Sequence, residues 1–355
     1  MRQLPLRPRH ELGGAVFVAR SGWEVPANYA GLDAEVGAVR GSAGVIDHSD
    51  RTKVRVSGPD RVSFLNGLVT KDLAALAPGH GTYALVLNPK GKVVGDVWVY
   101  NLDDAFLVDL IPDDPGPLLA HIRKHLVSDE VVIEEAPLVA HLAVHGPNAL
   151  ALARRILGKD APGPGEFRLA AVDRKRSVLE TQTTYLRLPG VQFISWTDSL
   201  DDVWRALTAA GAAPVGRDAW NALRIEAGRP KAGVDMDEET IALEARLEGA
   251  ISFTKGCYEG QEVIARATYQ GHMNRFLVGL RIEGDLVPAH GDPISVGGQN
   301  VGAVTSATYS PTLHGVIALG YVRVPADEPG TRAVIESQSW QLRAAVASLP
   351  FVSAH

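Results

Sequence analysis

Two stretches of this chain follow one local plan: Val54-Arg55-Val56-Ser57-Gly58-Pro59-Asp60 and Leu142-Ala143-Val144-His145-Gly146-Pro147-Asn148, each followed by an apolar helical pattern. The plan is a strand, a Gly-Pro turn and a helix. Proline suits the first helical position because its missing N–H would be unpaired there, and Asp60 or Asn148 can serve the exposed amides of the first turn. The pair points to two related α+β units, although a strand-turn-helix plan is common enough to recur by chance. A chain of 355 residues exceeds the size of one hydrophobic core, so several packed subdomains are expected, with room to enclose a small ligand.

Between the copies, Gly81 to Leu87 and Lys92 to Tyr100 read as strands joined at Asn88-Pro89-Lys90-Gly91, a hairpin. Val203, Trp204 and Leu207 lie at helical spacing in a segment from Asp201 to Ala210 that stops at Gly211. A second helix is predicted from Asp218 to Ala227, before Gly228. After Arg275 the pattern turns to short alternating runs such as Trp340 to Val346, with turns at Val296-Gly297-Gly298 and Pro329-Gly330. A small barrel-like β subdomain is expected to close the chain.

No stretch approaches the roughly 18 consecutive apolar residues of a membrane span, and the basic start Met1 to His10 lacks the apolar core of an export signal. A net charge of −6 offers no global attraction for nucleic acid, so none is expected as a direct partner. The single cysteine excludes an intramolecular disulfide framework and fits a reducing, cytoplasmic compartment. An iron–sulfur cluster normally needs about four thiolates. Any role in cluster chemistry is therefore indirect, shared between chains or assisted by another thiol.

Cys257 stands among Gly256, Gly260 and Gln261, flanked by Lys255 and Glu262. The glycines permit tight backbone paths near a ligand, and an ammonium at Lys255 would favour the thiolate. A lone cysteine packed as a small hydrophobe fits the same residues. Asp96 lies in a strand where either face is largely apolar, which suits a proton-exchanging carboxyl or one bonded to a nearby turn. Glu226 shares a helical face with Ala219 and Leu223. There it could hold the amino-pyrimidine edge of a flat heterocycle or form a salt bridge with Arg224 or Arg229. His121 with His125, and His141 with His145, share faces, but no third ligand has motif spacing, and packing or surface roles are expected for both. The chain contains no Walker loop, Gly-x-Ser-x-Gly elbow, Cys-x-x-Cys pair or His-Glu-x-x-His helix.

The run Lys255-Gly256-Cys257-Tyr258-Glu259-Gly260-Gln261-Glu262, continuing to Ala267, resembles the signature of the YgfZ family of folate-binding iron–sulfur cluster assembly proteins. The wider chain resembles the superfamily that includes the glycine cleavage system T protein, an aminomethyltransferase. The segments that carry this are Gly22 to Pro26, Ala38 to Arg40, Gly44 to Asp47, Ser57 to Asp60, Leu223 to Gly228 and Tyr309 to Leu313. The resemblance implies an α+β fold of three subdomains in a cloverleaf around a tetrahydrofolate site. Its expected boundaries are 1–50 with 137–250, 51–136 with 251–274, and a C-terminal β-barrel at 275–355. It also implies that Glu226 binds the pterin, that Asp96 lies near the folate reaction centre, and that Lys255 and Cys257 form the characteristic YgfZ pair. Gln261 and Arg266 are further folate-binding candidates, and Lys255 and Arg266 could each either lower the thiol pKa or hold the anionic folate tail. No resident metal is expected.

Departures from both branches are visible. The aminomethyltransferases have Gly-Arg-Glu where this chain has Gly260-Gln261-Glu262, and Gly95 replaces the first aspartate of their Asp-Asp pair. Gln261 cannot supply the fixed charge of that arginine. Conversely, many YgfZ-type proteins lack an aspartate at position 96. The leading expectation is a tetrahydrofolate-binding accessory protein for iron–sulfur cluster assembly or repair, acting through Cys257, with cluster enzymes or assembly proteins as partners. The alternative is a transferase moving an aminomethyl unit from a lipoyl carrier to tetrahydrofolate.

Overall fold

The computed structural model describes residues 1–136, 139–172, 176–269, 273–337 and 340–353. The chain divides into two compact units. One comprises Met1–Asn66, Leu73–Tyr83 and Val97–Trp220, the other Gly67–Asp72, Ala84–Asp96 and Asn221–His355. The boundary expected at 136/137 meets residues outside the described set.

Two sheets carry the repeated plan. In one, the order is Gly81–Leu87, Val93–Asn101, Ala105–Leu110, Lys53–Ser57, Val132–Glu135. In the other it is Phe167–Ala171, Ser177–Thr183, Gly190–Trp196, Val139–His145, Gly44–Asp47, Ala213–Pro214. Each repeat begins with a strand, Lys53–Ser57 or Val139–His145, and crosses through a helix, Arg61–Leu68 or Ala149–Leu157. Each then makes a three-strand meander whose last strand returns antiparallel beside the first. The far side of each first strand is filled by one more antiparallel strand, Val132–Glu135 or Gly44–Asp47. The same strand order around both motifs is what a duplication produces, and it goes well beyond the local strand-turn-helix likeness.

The turns explain the shared glycine. Gly58 (φ +108°) and Gly146 (φ +130°) both adopt backbone conformations that side chains disfavour, and a Cβ would stand 2.1 Å from the Glu130 carbonyl oxygen or 2.4 Å from that of Ser42. The expected capping is corrected. The helices start at Arg61 and Ala149, two residues past each proline, and Asn148 makes no side-chain cap, its amide donating instead to the Ser42 hydroxyl. Asp60 accepts the Glu130 amide at 2.8 Å. Both side chains bond to a neighbouring segment of the same chain, which the glycine turn brings within reach.

The helix Thr197–Ala209 buries Val203, Trp204 and Leu207 against Leu142, Val144 and Phe193, the i, i+1, i+4 stripe read from the sequence. In the second unit, six strands close a barrel in the order Arg275–Ile282, Gly315–Arg323, Gln299–Ser310, Pro293–Val296, Arg332–Ser337, Trp340–Ala347. Alternation sorts its side chains. Val278, Leu280, Val316 and Ala318 fill the barrel, whereas Leu277, Ile317, Leu319 and Tyr321 turn outward and pack with Ile225 and Phe351.

Candidate functional site

Asp96, Glu226, Lys255, Cys257, Gln261 and Arg266 all fall in the second unit. Asp96 stands on the strand Val93–Asn101, fully buried. The turn that precedes this strand is tightly specified. Asn88 Oδ1 accepts the amides of Lys90 and Lys92, and the Gly91 amide returns to the Asn88 carbonyl. This is the side-chain-to-backbone turn that asparagine favours. The turn seats directly on the motif segment: a Cβ on Gly91 would lie 2.8 Å from Val263 Cβ, and one on Gly260 only 2.6 Å from the Asn88 carbonyl oxygen. Lys92 reaches Glu239 at 2.6 Å, and the Val93 amide donates to the Thr240 carbonyl.

The segment 251–260 is irregular, and several hydrogen bonds tie it and Ala250 to residues 67–72. The Ser252 amide donates to the Thr70 carbonyl, Thr70 Oγ1 to the Ala250 carbonyl at 2.7 Å, and the Glu259 amide to the Gly67 carbonyl. Lys255 is the central tie. Its ammonium is buried and donates at 2.8 Å to the carbonyls of both Val69 and Lys71, with the Tyr258 ring 5.1 Å away. Burial pushes this amine down to about 8, against a smaller opposing pull from Asp72. Cys257, two residues on, is exposed. The expectation that Lys255 serves the thiol thus meets a competing role, since the ammonium binds two carbonyls of the neighbouring loop.

Gln261 opens the helix Gln261–Tyr269 and is half-buried. Arg266 lies on the outer face of that helix, 68% exposed, in an i, i+4 ion pair with Glu262 at 3.0 Å.

Glu226 ends the helix Arg217–Glu226, and Ala219, Leu223 and Glu226 are all fully buried along one face. Its carboxylate accepts from two hydroxyls, Ser310 Oγ at 2.6 Å on Oε1 and Thr312 Oγ1 at 3.0 Å on Oε2. Arg224, one of the two salt-bridge partners weighed for Glu226, pairs with Asp235 at 2.6 Å and donates to Ser306. The backbone of Glu226 is held as well, its carbonyl accepting the amides of Phe351 and Val352. A carboxylate fixed at both oxygens in an apolar surround is a preorganised acceptor for a ligand with adjacent N–H donors.

Residues 6–255 match the GCVT N-terminal domain, and residues 275–353 match the glycine cleavage T-protein C-terminal barrel domain. The chain belongs to the glycine cleavage T-protein family. An aminomethyltransferase of Rubrobacter xylanophilus is 36% identical, with 99% of this chain and 94% of that protein covered. The aminomethyltransferase of Bacillus subtilis is 30% identical over 99% of both chains. The crystal structure of glycine cleavage system aminomethyltransferase T from Bartonella henselae matches 99% of this chain and 98% of its own, with a TM-score of 0.89 and 26% identity. The wider family expected from the sequence is thereby shown, and these relatives carry the name of the alternative activity rather than of the YgfZ branch.

Within this family frame, three positions the sequence reading did not single out prove central. Thr70, Ser310 and Thr312 each support a candidate residue or its segment. Their signal was faint: Ser310 and Thr312 sat in a segment noted only for its resemblance, and an isolated Thr70 carries no pattern. The first unit also holds a buried polar cluster that periodicity could not reveal. His10 Nε2 meets Asp47 at 2.9 Å, and His10 Nδ1 meets the Tyr29 hydroxyl at 2.8 Å. His141 Nε2 lies 2.9 Å from Gln192, and Lys53 pairs with Asp109. His48, His141 and His145 are all buried, and burial, with nearby cations, holds each well below the usual histidine range, His145 to about 3. His141 and His145 are thus buried within the first unit, His141 bonded to Gln192. The rings of His121 and His125 lie 4.7 Å apart, with His125 Nδ1 2.9 Å from the His121 carbonyl.

Proposed function

We propose that this protein binds tetrahydrofolate and transfers to it the methylene carbon of an aminomethyl group carried on a lipoyl thiol, releasing ammonia and the carrier's free thiol and leaving a methylene-folate. The observation that carries this reading is the fully buried Glu226 carboxylate with a hydroxyl on each oxygen. Its acceptor character complements the N–H donors of an amino-pterin edge, and full-length aminomethyltransferase relatives support the same chemistry. In this reading Glu226 orients the pterin, and buried Asp96 handles the proton that must move as the amine leaves. Tetrahydrofolate is the one-carbon acceptor, and the protein acts in the cytoplasm. Among the described residues no helix is long and apolar enough to cross a membrane. The three-subdomain boundaries given above belong to the same proposal.

The test is production of ammonia and methylene-tetrahydrofolate from tetrahydrofolate and an aminomethyl-lipoylated carrier protein. Asp96→Asn is expected to lower kcat by roughly 100-fold or more, the usual scale for a lost acid or base, with little change in folate affinity. Unchanged turnover in that variant would remove Asp96 from the chemistry.

The exposure of Cys257 favours a second reading, a folate-bound accessory role in iron–sulfur cluster assembly or repair, as in the YgfZ family. Here Cys257→Ser would keep folate binding and aminomethyl transfer yet fail to support cluster enzymes in cells. Full support from the serine variant would end the thiol's claim.

A further inference from the structure

Glu226 has three side-chain torsions and sits at the last residue of its helix. Among its described partners are two hydroxyls contributed from the barrel side. Ser310 ends the strand Gln299–Ser310 and is fully buried, and Thr312 follows in the next turn. Ser310 Oγ accepts the Leu313 amide at 3.1 Å, which leaves its single proton for Glu226 Oε1 at 2.6 Å. The direction of that bond is therefore set: the serine donates, and Oε1 accepts. Thr312 donates to the other oxygen. With both oxygens accepting, the carboxylate is presented as an acceptor group in a fixed plane.

We propose that Ser310 and Thr312 are positioning residues that make Glu226 specific for a ligand with two adjacent N–H donors, the amino-pyrimidine edge of a reduced pterin. This rests on the tetrahydrofolate reading above. The hydroxyls do not touch the ligand. They determine whether the carboxylate meets both donors at once, so their effect falls on the part of affinity that depends on those donors. The barrel thereby supplies specificity to a side chain carried on a helix outside it. A structural tie between helix and barrel would instead affect every ligand alike.

The experiment measures Kd for tetrahydrofolate and for 2-desamino-2-methyl-tetrahydrofolate, which lacks the exocyclic donor. The proteins are the wild type, Ser310→Ala, Thr312→Val, the double variant Ser310→Ala/Thr312→Val, and the conservative swap Ser310→Thr/Thr312→Ser. Thr312→Val is near-isosteric and removes only the hydroxyl, so it tests the idea even where the double variant does not fold. The expected result is a loss of roughly 10- to 100-fold in tetrahydrofolate affinity for the double variant and a smaller loss for each single one. Affinity for the desamino analogue, which keeps the ring N–H but lacks the exocyclic donor, should fall several-fold less than that for tetrahydrofolate in every variant, and the conservative swap should recover most of the tetrahydrofolate affinity. Equal losses for both ligands, or none for either in folded Thr312→Val and Ser310→Ala, would overturn the positioning role while leaving the folate reading intact. Wild-type protein that binds neither ligand would overturn both.

Discussion

A buried histidine held below its usual range is a wager on neutrality, and His48, His141 and His145 of the first unit all make it. His145 stands against Trp220 with its pKa pushed down to about 3 by burial, reinforced by Arg51. In the unfolded chain the same ring titrates near 6.5. Between those values the unfolded state binds the extra proton, so stability is fully present above pH 6.5 and is lost as the pH falls toward 3. At pH 5 the loss from His145 is about 2 kcal/mol, and His48 and His141 act in the same direction. Urea unfolding from pH 7.5 to 5 should show this slope, and His145→Gln should flatten it. A pH-independent midpoint would contradict the buried, neutral assignment. Lys255 follows the complementary logic. Its ammonium ties residues 252–256 to Val69 and Lys71, and a methionine there would bury the stem but leave two carbonyls without their donor. Lys255→Met is expected to make the exposed Cys257 segment more open to proteolysis and its thiol faster to label, with the barrel unaffected.

At the scale of elements, the turn of each strand, Gly-Pro turn and helix unit passes another segment of the chain at closest approach. Gly146→Ala would place a Cβ 2.4 Å and 2.5 Å from two backbone oxygens, at a φ that side chains disfavour. The expected cost is about 3 kcal/mol or more, with Gly58→Ala similar, read from the denaturation midpoint. The neighbouring Asn148→Ala should cost much less, since that side chain makes no cap to its own helix. The shared strand order of the two sheets was only half legible. Two matching seven-residue segments are visible in sequence, but the return of each meander beside its first strand depends on strand pairings far apart along the chain. Helix and hairpin assignments fared better because they rest on local periodicity. The hairpin turn at Asn88–Gly91 needed only the chemistry of its own residues.

For the molecule as a whole, the family assignment rests on similarity that runs through nearly the entire chain, while the candidate residues draw on separate parts of it. Asp96 comes from a hairpin near residue 90, Glu226 from a helix end, its two hydroxyls from the barrel, and Cys257 from a loop pinned by residues 67–71. Ligand linkage offers a global check. Tetrahydrofolate at 100 times its Kd should add about 2.7 kcal/mol to unfolding stability, and that gain should shrink in Glu226→Ala, as read by thermal melting with and without ligand.

The periodic elements, the closing barrel, the Lys255 to Glu262 motif and the wider glycine cleavage T-protein family, though not its YgfZ branch, were legible in the sequence. Each of these is written in neighbouring residues or in a pattern of fixed period. It took the folded contacts to reveal that Ser310 and Thr312, more than eighty residues away in sequence, hold Glu226, that Arg224 turns to Asp235, and that Lys255 binds backbone carbonyls. The physical reason is that a polar side chain entering a low-dielectric interior must find partners there. Which partner it finds is settled by what the fold brings within about 3 Å, a distance that carries no trace in sequence spacing.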